Sequence, residues 1–238
     1  MLDGLQPVRE LRRRWKPRKD ELAGSTRHQP VLVRMHRCLS WMAEVERLLG
    51  EHGESAIDTA LVHRWVAFNA IYGVWDPVVH QPIGDRECIE GFCAKVREVD
   101  AERLVESVLR AKRRQAMDIF RDAYLTSHFW REPTKMRANR PARDAELAKN
   151  WYAANQLDRV LQRLLERIYF LRCQLVHGAA SYGGKLNRTA VRRCTVMLGH
   201  LLEAFVLVMI DHGWDEDWGS LSYPPLHGRD EHEGAAGS

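Results

Sequence analysis

Apolar residues recur along this chain in steps of three and four, the period of a helix packed on one side. Met35, Leu39, Met42, Val45 and Leu49 form such a stripe over Val31 to Leu49, and Gly50 and Gly53 punctuate its end. A second helix, capped by Ser55 or Asp58, runs through Ala60, Leu61, Trp65, Phe68 and Tyr72 and stops at Gly73 and Pro77. Asp85 to Tyr124 predicts one or two further helices. Arg131 to Arg143, with two prolines, reads as a basic loop or insertion. From about Ala145 to His177, Leu157, Leu161, Leu164, Ile168, Leu171 and Leu175 lie on one stripe, and Gly178 follows as a stop signal. Asn187 or Thr189 then opens a last helix, apolar on most sides from Val196 to Ile210, which belongs at the centre of a bundle. No stretch alternates in the manner of a strand. The expected class is all-α, an up-and-down bundle of four to six helices over residues 31–213, with an insertion over about 76–149. A basic, partly flexible leader spans 1–30 and an acidic, flexible tail 214–238.

Of the 238 residues 45% are hydrophobic, enough for one sizeable core. The run from Val196 to Ile210 is shorter than the ~20 residues of a bilayer-spanning helix and contains His200 and Glu203. With Arg12 to Arg14 followed by no apolar run, the expectation is a cytoplasmic protein without a membrane partner. Cys38, Cys88, Cys93, Cys173 and Cys194 fit neither a disulfide framework nor a paired zinc motif, so they are expected to be reduced and mostly packed. The net charge of +4 is unevenly spread: residues 1–37 carry ten Lys/Arg against four Asp/Glu, residues 211–238 one against seven. A basic arm of this kind attracts phosphate, stays solvated, or docks on its own acidic end. The run Asp215 to Asp217 reads as a solvated cluster rather than a cation site.

Phosphate-loop, nucleophile-elbow and H-E-x-x-H motifs are missing, which excludes the standard nucleotide, hydrolase and metalloprotease readings. Neither a metal nor a cofactor is expected. What remains is Arg172 and His177, five residues apart at the end of the clearest helix. Arg47 and His52 share that spacing but span Gly50 and lack the stripe. Five residues turn a helix by about 140° and raise it by about 7.5 Å, so the two side chains flank a groove. A guanidinium offers phosphate a planar fork of donors, and an imidazole moves protons near neutrality, favoured in its charged form by the helix C-terminus. The plainer alternative pairs Arg172 with an acid on another helix and leaves His177 as a terminal cap.

Arg131, Lys135, Arg137, Arg140 and Arg143 could track a phosphate backbone, with Phe129, Trp130 and Trp151 available to stack on bases; the other reading is a solvated loop. Asn69, a polar residue within an apolar helix, is expected to be buried. Its partner lies either toward the Arg172 and His177 cleft or inside the core.

The run Arg172-Cys173-Gln174-Leu175-Val176-His177-Gly178, leading from a long helix into a turn and an apolar helix, resembles the signature region of the HEPN superfamily. The helix from Leu61 to Gly73 resembles the early helix of Apea-like HEPN domains. Together the likeness covers residues of about 55–75 and 150–212. It implies a helical bundle whose protomers pair as a homodimer and bring their R-x4-6-H motifs into one cleft. It further implies a metal-independent endoribonuclease, often a toxin or antiviral defence effector, with RNA as partner and sometimes an antitoxin or regulatory protein. Carried over, Arg172 would neutralise the scissile phosphate and His177 would transfer a proton. Nucleases of the family usually place Asn or Asp directly after the arginine, whereas this chain has Cys173. The alternative is therefore a catalytically silent module that binds RNA, a nucleotide or a protein.

Overall fold

A computed structural model describes residues 4–126, 140–185 and 187–223, with the backbone alone for 140–142. The class is all-α as expected, and the only strands among the described residues form a hairpin of Trp75–Asp76 against Gln81–Pro82. Nine α-helices are described: α1 Val8–Leu22, α2 Gln29–His52, α3 Ile57–Tyr72, α4 Asp85–Val99, α5 Leu104–Ala111, α6 Arg113–Arg121, α7 Arg140–Ala153, α8 Leu157–Val176 and α9 Arg188–Asp211. Helix α1 in the expected leader and two divisions raise the number above the four to six expected. The 85–124 stretch breaks at the positive-φ Arg103 and again at Lys112. The stretch expected as one helix from about Ala145 to His177 begins earlier, at Arg140, and breaks at Asn155, whose φ is +56°.

α9 is the central element. From Met197 to Ile210 every residue except Glu203 is buried. By length and composition α9 could cross a bilayer, but 83% of its most apolar window lies inside the fold. α3 packs alongside it, with Phe68 stacked on Phe205 at 5.4 Å, and α2 packs on α3. Each such buried aromatic or leucine contributes about 1.5–3 kcal/mol of transfer free energy. Helices within the 76–149 stretch contribute to this core. Phe92 and Val96 of α4, Leu109 of α5, and Ile119 and Phe120 of α6 complete the same core.

Both ends are more structured than the charge pattern indicates. Val8, Leu11, Trp15 and Leu22 recur at helical spacing inside the basic arm and are buried, so residues 8–22 form a docked helix. Of the readings open to that arm, docking on the acidic end is the one realised. Arg14 makes a two-pronged contact with Asp211 at 2.9 and 2.6 Å, and His28 and Arg27 meet Asp215 at 2.6 and 3.2 Å. Lys95 meets Glu216 at 2.6 Å, so two of the three acids expected to be solvated are paired. Trp218 is buried against Phe92, and Leu221 bridges to Val74. Residues 224–238 of the expected tail lie outside the described residues.

Two capping expectations also change. Ser55 bonds back to the His52 carbonyl, and α3 starts without a side-chain cap. Asp58 is instead buried in its first turn, where it accepts from Arg188 at 2.9 Å and from the Gly183 amide at 3.3 Å. It thereby ties the turn after α8 to α3.

Candidate functional site

The α8 stripe fixes the orientation of everything at its C-terminal end. Leu157, Leu161, Leu164, Ile168 and Leu171 are buried, and Leu175 packs partly against the core. Arg172 therefore leaves the helix on the side facing α3. Its guanidinium carbon lies 5.8 Å from the centre of the Trp65 ring and 5.7 Å from that of Tyr169, two rings that are themselves 5.5 Å apart. An arginine over aromatic faces gains electrostatic attraction while keeping its in-plane donors available. No carboxylate among the described residues lies within ion-pair distance of Arg172. Arg47, by contrast, is held at 2.6 Å by Glu44 and also by Glu51. Of the two readings for Arg172, the acid-paired one is not what the fold builds.

The surrounding groups are polar and partly buried. The Tyr72 hydroxyl donates to Asp85 Oδ1 at 2.7 Å. Burial, reinforced by Asp85, pushes the Tyr72 phenol well above its ordinary range, with Arg172 pulling the other way. The Tyr169 phenol is also raised, first by burial and then by its contact with Cys173. Both hydroxyls thus remain protonated donors. The Cys173 sulfur is 3.8 Å from Arg172 Nη1, and Cys173 is half-buried, whereas the other four cysteines are buried; all five are free thiols.

His177 occupies the C-cap of α8, its amide donating to the Cys173 carbonyl at 3.0 Å. Gly178 follows with φ +71°, the left-handed turn its lack of a Cβ permits, and the His177 side chain is exposed. No hydrogen bond or ion pair joins His177 to Arg172 among the described residues. Within one protomer the pair stays separated by its 140° of helix rotation. Asn69 sits on α3 between Trp65 and Tyr72 and is half-buried rather than buried as expected. Its amide oxygen abuts Gly73, where an added Cβ would meet it at 2.8 Å.

Of the basic segment, Arg131, Lys135 and Arg137 lie outside the described residues, together with Phe129 and Trp130. Arg140 opens α7, and Arg143 is exposed in its first turn. Trp151 packs partly against the core near the other end of α7, so it is not beside them. The periodicity of α3 contained Trp65 and Tyr72 only as core residues. That Tyr169 stands one turn before Arg172 was a legible signal for a stacked guanidinium. Asp85, brought in by the turn before α4, had none.

No family model, curated protein or solved structure matches the chain.

Proposed function

We propose that the protein is a HEPN-like, metal-independent endoribonuclease that acts as a homodimer. The observation that carries this reading is Arg172: a guanidinium on the Trp65 and Tyr169 rings, with no carboxylate neutralising it, one and a half turns from an exposed histidine at the same helix end. Arg172 neutralises the two non-bridging oxygens of the scissile phosphate. An RNA 2′-oxygen attacks phosphorus as its proton leaves, the bond to the 5′-oxygen breaks, and that oxygen gains a proton. His177, from the same protomer or its mate, mediates one of these transfers. The products are a 2′,3′-cyclic phosphate and a 5′-hydroxyl. Because Arg172 and His177 do not meet within a protomer, a two-fold partner supplies the complementary pair. A toxin or antiviral role, with an antitoxin as partner, accompanies the resemblance.

The test is incubation of the purified chain with end-labelled RNA in EDTA, beside His177→Ala. Cleavage by the parent alone, leaving cyclic-phosphate ends, is expected. Equal cleavage by both proteins would remove His177 from the mechanism.

A second reading has its own observation. Cys173 places a weakly hydrogen-bonding sulfur against Arg172 where the resemblance calls for Asn or Asp. A silent module binding RNA, a nucleotide or a protein partner follows if cleavage stays absent at every protein concentration while RNA binding persists and weakens with salt.

A further inference from the structure

α6 and the end of α5 form one wall of a groove whose other wall is α7. Arg110, Arg113, Arg114 and Arg121 line it from the first side and Lys149 from the second, around an open volume of about 470 Å³ with the buried Met117 at its floor. No acidic side chain lines it. The charges are placed by helical spacing: Arg113 or Arg114, Met117 and Arg121 fall on one face of α6, and the break at Lys112 swings Arg110 onto the same side. The acids nearest these cations sit one turn away on the same helices: Glu106 lies 3.9 Å from Arg110, Asp118 holds Arg121 at 3.0 Å, and Glu146 pairs with Lys149, which leaves Arg113 and Arg114 without an acid partner among the described residues. Arg113 lies 4.9 Å over the Tyr152 ring, an arrangement that fixes the guanidinium without neutralising it. Arg110, Arg113, Arg114 and Arg121 are all exposed.

From these placements we propose that the α5–α6/α7 groove binds the phosphate backbone of RNA, a site separate from Arg172 and His177. The choice of RNA over another polyanion rests on the ribonuclease reading. Four guanidinium forks in a row suit successive phosphates, each of which accepts two parallel hydrogen bonds. The groove also has a direction. Past Arg121 the chain enters the turn Ala123–Leu125, where the Asp122 carbonyl accepts from Arg167 at 3.0 Å and the Tyr124 carbonyl from Gln174 Nε2 at 2.8 Å. The Arg121 end is thereby tied to the last turns of α8, the helix carrying Arg172 and His177. A strand laid along α6 runs toward the proposed cleavage end of the bundle.

The test is the fluorescence anisotropy of a labelled single-stranded RNA, its 2′-hydroxyls methylated so that it cannot be cleaved, with the full chain over 50 to 200 mM salt. Arg114→Gln with Arg121→Gln should weaken binding on the order of tenfold and lower the slope of log affinity against log salt by about 1.4, from the ~0.7 per phosphate contact of single strands. Arg9→Gln with Arg86→Gln removes the same charge from exposed sites elsewhere and should bind as the parent does. Equal losses in the two double variants, an unchanged slope for the groove variant, no RNA binding by the parent, or displacement of RNA by polyglutamate as readily as by unlabelled RNA would each overturn the proposal. Groove-dependent binding without cleavage leaves the groove standing and removes the ribonuclease; cleavage by a parent whose binding ignores the groove does the reverse.

Discussion

The Arg172 guanidinium rests on the Trp65 indole, 5.8 Å from its centre, with the Tyr169 ring beside that indole and 5.7 Å from the same carbon. A lysine ammonium can keep the charge there but offers neither the flat surface that stacks nor the fork that grips two phosphate oxygens. Arg172→Lys should therefore lose cleavage nearly as far as Arg172→Ala, about 10²-fold or more, as for the loss of one preorganised charge-stabilising donor. Stability should fall by only about 1–2 kcal/mol, the worth of the aromatic contact. Single-turnover cleavage beside urea unfolding checks both; retention of most activity by the lysine variant would show that charge alone is used.

Cys173 touches the same guanidinium through a sulfur 3.8 Å away. An asparagine in its place gives Arg172 a true acceptor and the incoming phosphate a donor. Cys173→Asn should raise the cleavage rate on the order of tenfold, since one hydrogen bond to a charged group is worth about 1.5 kcal/mol or more. A rate left unchanged or lowered would mean that the thiol is not what limits the site.

The parts of the fold that were legible are those where one helix carries its own pattern. The α8 stripe, apart from the partly buried Leu175, and the apolar α9, apart from Val196 and Glu203, correspond to buried faces, and Gly178 takes the left-handed turn its place after His177 implied. The break at Arg103 was hidden because arginine is an ordinary helix-surface type that rarely adopts positive φ, whereas Asn155, of a type that visits the left-handed region readily, was a legible signal for the break before α8. Tertiary ties were hidden for a related reason. The apolar stripe of α1 sits among seven basic residues, and charge masked Leu11 and Trp15 as core. At the site, the spacing placed Arg172 and His177 at one helix end, while Asp85 and the rings beneath Arg172 depend on how α3, α4 and α8 meet.

Gly199 tests that packing directly. In the interior of a helix an alanine normally gains about 1 kcal/mol over glycine. Here a Cβ would stand 2.7 Å from the Arg64 guanidinium carbon, and Arg64 is buried and donates to the Thr195 carbonyl at 2.5 Å, a bond it would have to give up to withdraw into the cavity that it borders with Gly199. Gly199→Ala should reverse the usual sign and destabilise by about 1–3 kcal/mol, the cost of overpacking. A rise in the urea midpoint would show that Arg64 moves freely.

Arg34 organises the junction of α2, α3 and the C-terminal segment. Buried itself, it gives Nη1 to the carbonyls of Ile71 and Gly73 at 3.2 and 2.6 Å, and Nη2 to those of Trp218, Gly219 and Ser220 at 3.0 to 3.1 Å. Burial pulls its guanidinium down to about 10, which still leaves it charged at neutral pH. Arg34→Met fills the space but strips donors from all five carbonyls, and should destabilise by about 3–5 kcal/mol. The near-ultraviolet signal of Trp218 should be lost before global unfolding. A loss under about 1 kcal/mol would assign the docking of this segment to Trp218 and Leu221 instead.

Glu203 is the one residue between Met197 and Ile210 that α9 does not bury, and it borders a cavity of about 240 Å³ with largely apolar walls that include Leu5, Val8, Met42 and Leu202. Desolvation raises its carboxyl above the ordinary glutamate range, opposed in part by the Gln6 amide, which donates to Oε1 at 3.3 Å. The folded chain therefore holds this proton more tightly than the unfolded chain. Its contribution to stability is full below the unfolded value near 4.3 and is lost as pH rises through the folded value. Glu203→Gln keeps an acceptor for the Gln6 amide and removes the titration. Relative to the parent, the variant should gain stability as pH is raised from about 4 toward 7, read as a widening gap in urea midpoint. Parallel curves over that window would mean that the carboxylate is solvated in the folded protein and that the cavity wall beside it is open to water.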